Sequence, residues 1–423
     1  MKISLAGLNL QKNDSPFFDQ KVLSQRLNDF KQTIDDSRFG FFHLTKEKAL
    51  LEESKKVHQK FKDRTHFYQI GIGGSSLGPE MLVSALGNKK CQFQFINNID
   101  PEMMADQLSD LNPEKSLFYF VSKSGGTAET NAALAIITAK LFDLGIKQDQ
   151  LKNYFVFCTD PSKSDLLNLG RELGVDCLTV PSNIGGRFSV LTSVGLLPAL
   201  FAGIDVDQLW SGAESIKDQI LNNDVDSNSM LQLASSLMEL KEKQGVNQTV
   251  FMPYSSKLRD FSFWFIQLWA ESLGKKHSKT GEVINTGLTP IPGYGATDQH
   301  SQVQLFMEGP YDKCFFMIEV EKFSNDFALK NEYKNSSLQK LSNYSLGQLM
   351  QAEFNGTLKA LESHKRPYVH ISLEQNNAFE LGSAILFLES LTALMGHYLN
   401  IDPFDQPGVE AGKIFAFEYL NKL

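Results

Sequence analysis

Two charged residues stand in surroundings where a charge is costly without a partner or a task. The run F-W-F-I-Q-L-W-A-E-S-L-G-K, Phe263–Lys275, is apolar on almost every face of a helix, yet it carries Glu271. Gln267 lies four residues earlier and shares its face. A cleft-facing, partly desolvated glutamate is suited to act as a general base; an exposed residue at a helix end fits the spacing too. Arg187 follows two glycines and precedes a long apolar run in N-I-G-G-R-F-S-V-L-T-S-V-G-L-L-P, Asn183–Pro198. Its guanidinium can serve an anionic ligand or intermediate, or anchor a helix start. His300 lies in the polar segment G-A-T-D-Q-H-S-Q, where a lone histidine on its own reads as structural. In F-D-Q-P-G-V-E-A-G-K, Phe404–Lys413, Gln406, Glu410 and Lys413 fall near one helical stripe. A solvated Glu–Lys pair at the start of a terminal helix is the plainer reading of that stripe.

Two glycine-rich turns could hold an anion. G-I-G-G-S-S-L-G-P-E, Gly71–Glu80, follows an expected strand and opens an expected helix. Glycine lets the backbone approach a ligand, and the helix start offers free N–H groups. The segment has neither a clean G-x-G-x-x-G nor the G-K-[ST] of a P-loop, and serves equally as a tight strand–helix turn. S-K-S-G-G-T-A-E-T, Ser122–Thr130, offers the hydroxyls of Ser122, Ser124, Thr127 and Thr130 together with Lys123. Capping needs one hydroxyl, so four of them at a strand–helix junction favour a phosphate cradle.

The elements that must position these residues alternate. Short apolar runs at His66–Ile72, Cys91–Asn97, Ser116–Val121, Asn153–Cys158 and Val175–Val180 read as strands separated by helices. A second alternation places strands at Thr249–Pro253, Cys314–Val320 and Tyr368–Leu373, with helices at Asp260–Gly274, Leu346–His364 and Ala378–Leu399. This predicts an α/β fold with two mainly parallel sheets sandwiched by helices, both turns lying at the carboxyl ends of strands. The expected segments are a helical stretch over 1–60, a first α/β domain over 61–190, a helical linker over 191–246, a second α/β domain over 247–400, and a terminal helix with Lys413 over 401–423. The polar stretch Asn325–Ser345 reads as a loop or excursion.

Composition narrows the class. The 423 residues are 42% hydrophobic and 21% charged, enough for a full core. With 41 Lys and Arg against 49 Asp and Glu, the net charge of −8 argues against a nucleic-acid platform but not against a small anion held locally. Cys91, Cys158, Cys177 and Cys314 form no C-x-x-C pair, and read as reduced thiols of a cytoplasmic protein. No segment reads as a secretory signal or as an apolar membrane span.

Taken together, the motifs resemble the glucose-6-phosphate isomerase family in its compact bacterial form, from Gly71 to Lys413 in a fixed order. N-I-G-G-R-F-S-V-L-T-S-V-G and F-D-Q-P-G-V-E-A-G-K look like its two signature patterns. The resemblance implies two sugar-isomerase (SIS) type domains and reversible isomerisation of glucose 6-phosphate and fructose 6-phosphate, in glycolysis and gluconeogenesis. It implies Glu271 as the base between carbons 2 and 1, Arg187 as stabiliser of the enediolate, and His300 and Lys413 as aids to ring opening. Ser122, Lys123, Ser124 and Thr127 would hold the phosphate. Gly73, Gly74 and Ser75 would line the sugar site, with Gln267 and Gln406 as further contacts. It also implies a homodimer in which His300 enters the neighbouring site, and no metal or organic cofactor. Two positions depart from the family pattern: Ser76, where many relatives carry Asp, and Gly126, where a second Thr is common. The other reading is a regulator that binds a sugar phosphate on the same fold without catalysis; it would lack a complete Glu, Arg, His and Lys set.

Overall fold

The computed structural model describes residues 1–10, 15–36, 39–330 and 335–422. Its first sheet is built from β2 (His66–Ile70), β3 (Gln92–Ile96), β4 (Ser116–Val121), β5 (Phe155–Thr159) and β6 (Asp176–Thr179), in the order β3-β2-β4-β5-β6. All four pairings are parallel. Helices separate consecutive strands, as the crossover of a parallel pair requires. All six residues of β4 and all five of β5 are buried, which is why both read as unbroken apolar runs rather than alternating ones.

The chain runs from β2 outward to β3 and then returns to place β4 on the other side of β2. That reversal creates a crevice at the carboxyl ends of β2 and β4, where ligands of open α/β sheets bind. The turn Gly71–Ser76 follows β2, and the loop Ser122–Thr127 follows β4. Ile70 pairs with Phe120, so the two segments leave the sheet side by side.

The second sheet is built from β1 (Lys2–Ser4), β7 (Gln248–Pro253), β10 (Thr289–Pro292), β11 (Lys313–Lys322) and β12 (Tyr368–Gln375), in the order β1-β12-β11-β7-β10. Its inner pairings are parallel, and β1 adds an antiparallel edge. Two expectations change here. The first sixty residues are not helical throughout, because Lys2–Ser4 pairs with β12, and β10 adds an edge strand that the alternation did not contain. Both strands are short and rely on pairing, not on a periodic pattern of their own. A ribbon of β8 (Lys275–His277) and β9 (Val283–Thr286) follows the Glu271 helix. Of the stretch Asn325–Ser345, residues 331–334 lie outside the described residues; in the remainder Ala328 bridges Ser345, and Ser336–Gln339 forms one helical turn.

Residues 191–246 form the helices Ser193–Phe201, Val206–Ser215, Lys217–Ile220 and Ser229–Gln244. They pack with Ala378–Tyr398 in an apolar core that runs from Leu8 to Ile401. Ala378–Tyr398 corrects one reading: its 21 residues are long and apolar enough to cross a membrane, although 94% of its most apolar window is buried inside the protein. The helix Arg259–Leu273 buries Phe261, Trp264, Phe265, Leu268 and Trp269, and packs on both β10 and the helix Leu77–Leu86 behind the first glycine turn. It therefore ties the second sheet to the turn that follows β2. The four cysteines are free.

Candidate active site

Arg187 is the centre of the site. It stands in a short turn, Gly186–Phe188, and its side chain is only 3% exposed. A guanidinium has five N–H donors, and burial makes each unpaired donor expensive. Four hydrogen bonds and one ion pair hold it here. Nε donates to Ser272 Oγ at 2.7 Å and Nη1 to Gln406 Oε1 at 3.1 Å, and Nη1 lies 3.2 Å from Glu271 Oε1 as an ion pair. Nη2 donates to the carbonyls of Pro403 at 2.5 Å and Asp405 at 3.1 Å. Burial pulls the guanidinium pKa down, while Glu271, Asp405 and Asp402 oppose that shift. Such a side chain is a fixed positive group, already oriented before any charge develops beside it.

Glu271 lies in the last turn of its helix with 26% of its side chain exposed. One oxygen faces Arg187, and the other accepts from Gln267 Nε2 at 3.0 Å. The i, i+4 spacing read from the sequence is thus a direct contact. Gln267 also reaches the first glycine turn: a Cβ at Gly73 would come within 2.9 Å of its amide nitrogen, and Gly73 has φ +60°. Gly74 is closer still, since a Cβ there would sit 2.2 Å from the carbonyl oxygen of Gly186. The glycine turn and the Arg187 turn touch through backbone, and only glycine permits this. Ser75 is held from beneath by the buried Gln69, whose amide donates to the Ser75 carbonyl at 2.8 Å.

In the second loop, Ser122 Oγ and Thr127 Oγ1 are 2.9 Å apart, and Ser122 Oγ accepts from the Gly125 N–H at 3.1 Å. Ser124 Oγ accepts from the Gly126 N–H at 3.2 Å. Thr127 stands at the N-terminus of the helix Ala128–Asp143 without a side-chain capping bond, so its hydroxyl is not committed to that helix. Hydroxyls, loop N–H groups and a helix start converge here, which is the donor set of an anion cradle.

One of the two departures from the family pattern has a local explanation, and nothing in the structure explains the other. Ser76 is buried and its hydroxyl donates to Glu80, which also accepts from Asn97 Nδ2 at 2.6 Å. A hydroxyl fits beside that carboxylate, whereas an aspartate would set two like charges together. A Cβ at Gly126 meets nothing within 4 Å, so the residue is small without being packed.

The structure unites Arg187, Glu271, Gln267 and Gln406 with the glycine turn. It does not join His300 or Lys413 to them: among the described residues neither has a hydrogen bond or ion pair to this cluster. His300 is exposed, in the turn Thr297–His300 beyond β10. Lys413 is 63% exposed and pairs with Glu410 at 2.9 Å, the plain reading of that segment. The stripe of Gln406, Glu410 and Lys413 is corrected, because Gln406 precedes the helix Glu410–Leu420 and bonds to Arg187. Ser272 and Lys275 escaped the sequence reading. Lys275 Nζ donates to the carbonyls of Glu271 at 2.7 Å and Ser272 at 3.0 Å, closing the end of the Glu271 helix. A lysine in the turn after a helix is the ordinary signal for that role.

A half-buried carboxylate facing a fixed guanidinium, beside an anion cradle at a sheet switch point, defines an α/β enzyme that can move a proton next to a developing oxyanion on an anionic substrate. Comparison with known proteins identifies which. The family model described as phosphoglucose isomerase matches residues 45–423, and the chain belongs to that family. It is 38% identical to the glucose-6-phosphate isomerase of Carboxydothermus hydrogenoformans, over 95% of this chain and 89% of that one. It is 35% identical to a glucose-6-phosphate isomerase of Thermus thermophilus, over 91% of this chain and 90% of that one. Among solved structures, a hypothetical protein from Thermus thermophilus superposes with a TM-score of 0.88 at 32% identity, covering 95% of both chains. The Chlamydia trachomatis glucose-6-phosphate isomerase shares the fold, with a TM-score of 0.82 at 22% identity, over 95% of this chain and 86% of that one.

Proposed function

We propose that the chain interconverts D-glucose 6-phosphate and D-fructose 6-phosphate through an enediolate, as a step of glycolysis and gluconeogenesis in the cytoplasm. The observation that carries this is the Glu271–Arg187 pair: a carboxylate 3.2 Å from a buried guanidinium that four hydrogen bonds hold in place. Aldose–ketose isomerisation takes a proton from carbon 2 and returns it to carbon 1. A single carboxylate can do both, and Glu271 is assigned that task. The carbonyl oxygen becomes an oxyanion as the proton leaves, and Arg187 Nη1 is the cation assigned to it. A second proton passes between the two substrate oxygens, and Gln267 and Gln406 orient them.

The phosphate is remote from the reacting carbons, so its binding energy serves to orient them. Ser122, Ser124, Thr127 and the neighbouring N–H groups are proposed to hold it. Gly73, Gly74 and Ser75 line the sugar. The cyclic sugar must open first, with a proton delivered to the ring oxygen and one removed from the carbon 1 hydroxyl. His300 and Lys413 are proposed for this step, in a homodimer where His300 enters the partner's site. Their lack of a hydrogen bond or ion pair to the cluster among the described residues, and the exposed Ile414, Phe415, Phe417, Tyr419 and Leu420 beside Lys413, support that assembly.

The test is a coupled assay in both directions, run in deuterated water and followed by NMR. We expect turnover of both sugar phosphates, with solvent deuterium appearing at carbon 2 of glucose 6-phosphate and carbon 1 of fructose 6-phosphate. Well-folded protein inert on both would contradict the proposal.

A further inference from the structure

Lys123 stands in the hydroxyl-rich loop, where the family resemblance gives it to the phosphate. Its ammonium turns elsewhere. Nζ donates to the carbonyl of Ser182 at 2.7 Å and to that of Ile184 at 2.9 Å. An ammonium has three donors, so two are engaged by the backbone that leads into Arg187. The same segment is held from a second side, where Ser182 Oγ donates to Asp160 Oδ2 at 2.7 Å. Asp160 is itself joined to the loop, its N–H donating to the Lys123 carbonyl at 3.1 Å. Thr159 Oγ1 fixes the Ser122 carbonyl at 2.7 Å. At its far end the segment meets Gly74 through the Gly186 carbonyl. The path from the anion cradle to the guanidinium is therefore continuous: Ser122, Lys123, the carbonyls of Ser182 and Ile184, then Arg187.

We infer that Lys123 is a positioning residue, tying the hydroxyl-rich loop to the segment that presents Arg187. Seating the phosphate end of the substrate then sets where the guanidinium meets the reacting oxygens. A lysine acting only as a point charge for phosphate would have no reason to spend two donors on the carbonyls of Ser182 and Ile184. The inference rests on the isomerase reading of the site.

The test compares Lys123→Met, Lys123→Arg and Ser182→Ala with the wild type, measuring kcat, KM for fructose 6-phosphate and competitive inhibition by inorganic phosphate. Small displacements of a catalytic group are costly, so Lys123→Met should lower kcat about 10–100-fold. Its inhibition constant for inorganic phosphate should stay within about twofold, the pattern of a group that acts on the chemical step rather than on binding. Lys123→Arg, which keeps the charge and donors, should recover most of the loss. Ser182→Ala cuts the Asp160 contact without touching the ammonium, and should lower kcat with phosphate inhibition unchanged. These last two variants carry the test should Lys123→Met not fold. Retained kcat with weaker phosphate inhibition in Lys123→Met would overturn the inference, as would full kcat in Ser182→Ala. A wild-type protein inert on both sugar phosphates would refute the isomerase reading and this inference with it, a result distinct from active Lys123→Met.

Discussion

Single side chains set the chemistry through how completely Arg187 is held. Four hydrogen bonds and the Glu271 ion pair orient it, and Nη1 is the nitrogen that faces the carboxylate. Lysine has no planar fork, so Arg187→Lys should lower kcat/KM by about 10²-fold or more, with KM for fructose 6-phosphate changing less than kcat. Equal kcat in the two proteins would contradict the proposed role. Glu271, Gln267 and Arg187 were legible in the sequence because each is polar in an apolar or glycine-opened run, whereas Gln406 came only through the family resemblance, its own spacing suggesting a helical stripe it does not join. Ser272 was not, since a serine in a helix gives no signal of what it faces, and the carbonyls of Pro403 and Asp405 have no residue-type signature at all. Asp160 supplies a pH prediction. Burial pushes its carboxyl up, but hydrogen bonds from Ser182, Ser162 and the Ser162 and Lys163 N–H groups outweigh this and hold it well below the usual range. A lowered folded pKa stabilises above the unfolded value, so its contribution is complete above about pH 3.9 and is lost progressively as pH falls from there towards the lower folded pKa. Asp160→Asn should therefore be less stable at neutral pH and less sensitive to acid in urea titrations; an unchanged acid slope would show that Asp160 has no part in it.

Among the elements, the glycine turn after β2 decides whether the parts of the site can meet. Gly74→Ala forces a Cβ to within 2.2 Å of the Gly186 carbonyl, backbone against backbone, which cannot relax without moving Arg187. This variant should lose both activity and several degrees of Tm, in line with about 1–3 kcal/mol for overpacking. Gly126→Ala is the control: nothing lies within 4 Å, and its Tm should match the wild type. Loss in the second variant and not the first would reverse the roles given to the two turns. The central strands were legible because buried parallel strands read as apolar runs bounded by turns. β1 and β10 were not, because a strand of three or four residues is specified by the neighbour it pairs with.

For the molecule as a whole, the net charge of −8 opposes an anionic substrate, so the proposed binding depends on a local focus of Arg187, loop N–H groups and a helix start. The proposed dimer has a direct consequence. If His300 crosses between subunits, co-refolded Glu271→Gln and His300→Ala proteins should form mixed dimers with one intact site, restoring about a quarter of wild-type activity at equal amounts. No restoration, with dimers present, would place both groups in one chain's site. Neither chain order nor hydropathy reveals where His300 and Lys413 are proposed to act, since a partner's surface leaves no periodicity in the sequence. The central claim is that Glu271 carries the proton. It is tested most directly by the rate of conversion of glucose 6-phosphate to fructose 6-phosphate in wild-type and Glu271→Gln proteins, both shown to be folded and to bind the sugar phosphate. Rapid conversion is expected of the wild type and a loss of about 10²–10⁴-fold in the variant, the range for removing a general base. Equal rates in the two proteins would contradict the claim.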